Sequence, residues 1–157
     1  MNYNDFPILN DDTYNYLKNK YNELNNEHEF DRVTSINKIC FYLNECAGSC
    51  KSLKNKLNVK LSNSIEFASD EINKIISSLN ETFNINLNSN IIKEFNLFTF
   101  LKYLTYAIEL FINWSYKEEK EYYKKVCNNC LNSLIECVKK IMEALENSNI
   151  SLYKYMW

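Results

Sequence analysis

Six cysteines are the residues best suited to chemistry in this chain of 157 residues. Cys127 and Cys130 form a C-x-x-C pair, a spacing used both for zinc and for dithiol redox work. Zinc needs four ligands, but Cys40, Cys46, Cys50 and Cys137 supply no second C-x-x-C. The one histidine, His28, is remote in sequence and sits between Glu27 and Glu29, as a surface residue would. The pair also falls inside a helical pattern, with both sulfurs close to one face. Small apolar thiols filling a core, a disulfide within or between chains, and a metal site all stay open. Core thiols are the expected reading, and no metal or cofactor is expected.

The other chemical groups are sparse. No Ser or Cys nucleophile stands beside His28 with an orienting acid. Glu118, Glu119 and Glu121 read as a solvated helix start favoured by the helix dipole, not as an acid/base pair. Phosphate-cradling loops need several glycines, and the chain has one, Gly48. The 18 basic and 20 acidic residues leave a net charge of −2, without the basic excess that phosphate neutralisation requires. The expectation is a non-enzyme that does not bind nucleic acid. Sequons begin at Asn80, Asn113 and Asn149, but with 26 asparagines in the chain they are expected by chance. So much asparagine beside so little Gly, Pro and Arg reads as the codon bias of an AT-rich genome. Asparagine also tolerates left-handed backbone, so it can end helices where glycine is missing.

The elements that hold these residues are helical throughout, within a single domain spanning 1–157. Asp11 to Thr13 offer caps for a first helix with the stripe Tyr14, Leu17, Tyr21 and Leu24. A longer helix begins near Asp31 and carries Ile36, Ile39, Leu43, Cys46, Cys50 and Leu53, with Gly48 in its interior. Ser62 to Ala68 is expected to form one turn, and Ser69-Asp70-Glu71 to start the next helix, lined by Ile72, Ile75, Ile76 and Leu79. Asn84 to Asn90 reads as a loop. Ile91 to Tyr116 is apolar all round, which requires enclosure by other helices. A last long helix follows with Cys130, Leu134, Cys137 and Ile141, and a short one can close the chain at Ile150 to Trp157. The expected architecture is all-α, a bundle of six to eight helices around a central hydrophobic helix. No stretch reads as a secretory signal or a transmembrane anchor, so an intracellular, soluble protein is expected.

A long amphipathic helix, an apolar central helix and a long partner helix together resemble the Bcl-2 family across Asp31 to Leu145. Ile39, Leu43, Cys46 and Cys50 have the spacing of that family's third homology motif. Within Leu43-Asn44-Glu45-Cys46-Ala47-Gly48, Ala47 takes the small-residue position, and Gly48 stands where the family has an acidic residue. The first homology motif is absent in its usual form; Asn90-Ile91-Ile92-Lys93 puts a lysine at its arginine position. Such erosion resembles the viral branch of the family.

The resemblance implies a surface groove that takes an amphipathic helix by apolar anchors. Leu43, Ala47 and Cys50 would form one wall, Ile72, Ile76 and Leu79 another, and Phe95, Phe98 and Leu101 the floor, with Lys93 as the cation. The implied function is anti-apoptotic: stoichiometric capture of the third-homology helix of a host pro-apoptotic protein. It would act in the host cytoplasm, with the mitochondrial surface as a place of action. The alternative is an adaptor of the same fold that blocks innate immune signalling through a helix face. A homodimer is compatible with either, because exposed apolar surface tends to find a partner.

Overall fold

The computed structural model describes residues 31–85 and 96–147, and four helices account for most of them: α1 (Arg32–Lys54), α2 (Val59–Phe83), α3 (Leu97–Lys117) and α4 (Glu121–Asn147). Short polar side chains set the boundaries. The Asp31 carboxylate caps α1, accepting from the Val33 and Thr34 amides and the Thr34 hydroxyl. These bonds, the Thr34 hydroxyl first, hold its pKa below the usual carboxylate value. Asn58 and Asn96 cap α2 and α3 through the amides of Leu61 and Thr99, at 3.0 and 2.8 Å. Each such bond satisfies one of the donors that a helix start leaves without a partner. Asn84 ends α2 at φ 53°, a left-handed cap in an asparagine instead of a glycine.

The helices form a ring in the order α1, α2, α4, α3, with each neighbouring pair in extensive contact. All four neighbouring pairs run antiparallel. Arg32 at the start of α1 meets Glu118 just past the end of α3, and Cys46 of α1 reaches the Phe100 carbonyl near the start of α3. Likewise Phe83 at the end of α2 meets Tyr123 near the start of α4, and Phe67 of α2 meets Lys140 of α4. Ile39, Leu43, Leu61, Ile65, Ile72, Leu79, Phe100, Leu104, Ile108, Phe111, Leu134 and Ile141 are wholly buried between them.

Three expectations are corrected. Four helices, not six to eight, are present among the described residues; the expected first helix and the closing short helix lie outside them. The expected break between Ala68 and Asp70 does not occur. Leu61, Ile65, Ala68, Ile72, Ile75 and Leu79 keep one buried stripe through that point, so burial holds the helix together across a sequence that resembles a helix start. Nor is α3 an enclosed axis among the described helices. Its main contacts are with α1 and α4, and its other side carries exposed Lys102 and half-buried Tyr103, Tyr106, Glu109 and Leu110.

Candidate functional site

All six thiols are free and buried. Burial pushes Cys130 up to about 11 and Cys40, Cys50 and Cys137 up to about 12, with Cys46 and Cys127 also well above the ordinary value. Thiols of this kind stay protonated at neutral pH and are poor nucleophiles and poor metal ligands. Cys40 of α1 lies close enough to Cys130 of α4 to interact with it, and so does Cys50 of α1 with Cys137 of α4. Cys46 and Cys127 also lean on carbonyls of α3, Phe100 at 3.8 Å and Phe111 at 3.2 Å. No group of three or more metal-ligating side chains comes together among the described residues.

The chain's only arginine makes a two-pronged ion pair within the bundle. Arg32 grips Glu118 with both arms of its guanidinium, Nε to Oε1 at 2.5 Å and a terminal nitrogen to Oε2 at 2.6 Å. The Trp114 indole donates to Oε1 at 2.9 Å, and the amides of Glu119 and Lys120 donate to Oε2 at 3.1 and 3.2 Å. The Glu118 side chain is only 1% exposed. The Arg32 hydrogen bonds, with further help from Trp114 and the Lys120 amide, outweigh burial and hold its carboxyl down to about 2. Glu118 in turn raises the pKa of Arg32. The guanidinium also lies 4.7 Å from the Tyr123 ring centre. Glu118 is therefore not part of a solvated helix start. It is the buried polar joint that ties the start of α1 to the corner between α3 and α4. Its partner lies 86 positions away, so no local pattern could have identified it.

The expected groove residues fall into three groups. Leu43, Ile72, Leu79 and Leu101 are wholly buried, with Ile76 and Cys50 nearly so, as parts of the common core. Ala47 and Phe98 are half-buried against that core. Lys93 and Phe95 lie outside the described residues. Half-buried Ala47 and the edge of Cys50, itself only 5% exposed, line a shallow depression of about 240 Å³ between α1 and α2. Ile65 joins them in its floor. Lys51 and Lys54 rim it from α1, Glu66 and Asp70 from α2, with Ser69 between. Lys54 and Glu66 pair across it at 3.2 Å. Periodicity on one helix could indicate the floor residues of α1, but not the α2 residues opposite them, because that needs the register between the two helices.

A second surface lies on the α1–α3 side. Phe41 is 55% exposed, and its ring meets Tyr42 edge-on at 5.5 Å. Tyr42 in turn contacts Tyr103 and Tyr106 at 5.5 and 5.4 Å, and Lys102 lies over Tyr106. Elsewhere, Asn80 and Asn113, which begin two of the sequons, lie inside α2 and α3 with their amide oxygens buried.

No helix among the described residues is long and apolar enough to cross a membrane. Comparison with known protein families, with curated proteins and with solved structures finds no match to this chain.

Proposed function

We propose that the chain is a non-enzymatic protein-interaction module that captures an amphipathic helix of another protein over the depression between α1 and α2. The observation that carries this reading is the depression's make-up. It has an apolar floor of Ala47, Cys50 and Ile65 between charged rims, the arrangement that receives an apolar side chain from a helix whose flanks are polar.

In its more specific form the captured segment is the third-homology helix of a pro-apoptotic host protein, and the module is a diverged viral member of the Bcl-2 class. That form rests on the spacing of Ile39, Leu43, Cys46 and Cys50 and on Ala47 in the small-residue position. Leu43, Ile72, Leu79 and Leu101 are closed into the core, so capture by this bundle relies on Ala47 and Cys50 instead of those four. The test is titration with a panel of such helical peptides, following the backbone amides of Ala47, Lys51 and Ser69 by NMR. Binding below about 10 μM, roughly −7 kcal/mol, with shifts centred on those amides supports capture. A panel with no binder in that range refutes the pro-apoptotic form.

The exposed Phe41 beside three tyrosines favours a second reading, an adaptor that presents the α1–α3 face to a partner. Aromatic side chains bury large area with few torsions to freeze, which makes them good interface anchors. Amide shifts centred on Phe41, Tyr42 and Tyr106 during titration with a partner, with none at Ala47, would favour this reading over groove capture.

A further inference from the structure

We infer that the helix taken at the α1–α2 depression carries an acidic residue on one flank of its apolar anchor and a basic residue on the other, read by Lys51 and Asp70. The inference rests on the capture reading and adds the charge pattern of the ligand. Four charged side chains rim the depression, two cationic on α1 and two anionic on α2. One cation and one anion, Lys54 and Glu66, already neutralise each other. Lys51 and Asp70 are exposed and form no ion pair among the described residues. They stand on opposite banks of the apolar floor, with Cys50 and Ser69, their immediate neighbours, also lining it.

An apolar side chain lowered onto Ala47 and Cys50 thus enters between a cation on one bank and an anion on the other, neither of them held in an ion pair among the described residues. A helix with like charges on both flanks gains one contact and meets repulsion at the other. One with opposite charges gains both. The same ligand can lie in either direction along the depression, since reversing its axis exchanges its flanks. Wild type therefore selects for opposite flanks and sets the direction of docking.

The experiment uses the full chain and three synthetic helical peptides of about 18 residues, some five turns, sharing one leucine stripe. One has Glu along one flank and Lys along the other; the second has Lys on both flanks and the third Glu on both. Exposed ion pairs are worth a few tenths to about 1 kcal/mol. Lys51→Glu and Asp70→Lys are each expected to weaken the mixed-flank peptide about five-fold, which is roughly 1 kcal/mol. The double exchange restores its affinity, because the peptide can lie the other way round. Each single exchange should also favour one like-flanked peptide: Lys51→Glu the all-Lys one, Asp70→Lys the all-Glu one. All of these differences should shrink in high salt. Ala47→Trp, which fills the depression, serves as the control, with circular dichroism confirming that each variant is folded. If Ala47→Trp abolishes binding while the single charge exchanges change it less than two-fold, the charge inference is overturned and capture stands. If the mixed-flank peptide fails to bind wild type, or binds Ala47→Trp equally well, capture at this depression is overturned and the charge inference with it.

Discussion

Replacing Arg32 by methionine removes the guanidinium from Glu118 while keeping a comparable apolar stem. Glu118 is then left nearly fully buried, with Trp114 and two backbone amides as its remaining donors. Two routes give the size of the loss. The Glu118 carboxyl is held at about 2 against an ordinary 4.5, and at 1.36 kcal/mol per unit that shift corresponds to about 3 kcal/mol. Breaking a buried pair by removing one member costs about 3–5 kcal/mol, and Arg32 is 29% exposed, which favours the low end. Arg32→Met is therefore expected to lower stability by about 2–3 kcal/mol at pH 7 in urea unfolding. The sign of the pH dependence follows from the direction of the shift. A carboxyl with a depressed native pKa contributes its stability above the unfolded pKa, and loses it as pH falls through the native one. The gap between wild type and Arg32→Met should thus close by about 2 kcal/mol between pH 4.5 and pH 3. Glu118→Gln keeps one acceptor oxygen where the carboxylate has two, so it cannot serve both Trp114 and the Glu119 and Lys120 amides, and it should also destabilise the bundle at pH 7. A gap below 0.5 kcal/mol at pH 7 (on the order of an ordinary surface substitution), or one that does not narrow in acid, refutes the joint as an energetic element.

Two further outcomes test the reading of α1 and of the thiols. Gly48 sits in the interior of α1 with no positive φ and is only half-buried, so Gly48→Ala should stabilise the bundle by about 0.5–1 kcal/mol; a loss of stability in thermal melts would instead mean that another backbone lies against that spot. With Cys40, Cys50 and Cys137 near 12, their thiolate fraction at pH 8 is about a thousandth of an ordinary thiol's. Alkylation followed by mass spectrometry should find all six thiols unlabelled until the chain unfolds; fast labelling of any one in native buffer would contradict its burial.

Much of the fold could be read locally. The stripes of α1 and α4 follow from a period of 3.6, and the start of α1 near Asp31 was legible with them. Asparagine standing in for glycine was legible too, and Asn84 is the case in point. Boundaries failed where local signals conflict with burial. Ser69-Asp70-Glu71 resembles a helix start, but Ala68 and Ile72 on either side of it are buried, and the core contact outweighs the capping preference. The apolar surround of α3 suggested an axis because tyrosine counts as apolar in a periodicity count. Tyr103 and Tyr106 are half-buried and pack through their rings with Tyr42 on the outer side, which is where amphipathic side chains settle.

The candidate site was less legible for a geometric reason. A helical stripe identifies the residues that turn inward together, and Leu43, Ile72, Leu79 and Leu101 do so; that same inward turn places them in the core and away from a ligand. What makes a surface site lies at the edge of the stripe, where two helices diverge, and depends on how far one helix is shifted along the other. Here the shift is set by the short connection from Asn55 to Asn58 and by Ser62 bonding back to the Lys54 carbonyl at 3.2 Å. Those contacts align Lys54 with Glu66, and by two antiparallel helices stepping away from that pair they place Lys51 near Asp70. A shift of one residue would rotate the facing side chains of α2 by about 100°, which would take Asp70 off the rim. The same rotation would turn Leu61, Ile65 and Ile72 out of the core, so an insertion after Lys56 that removes the discrimination between peptide flanks should also lower the stability of the bundle.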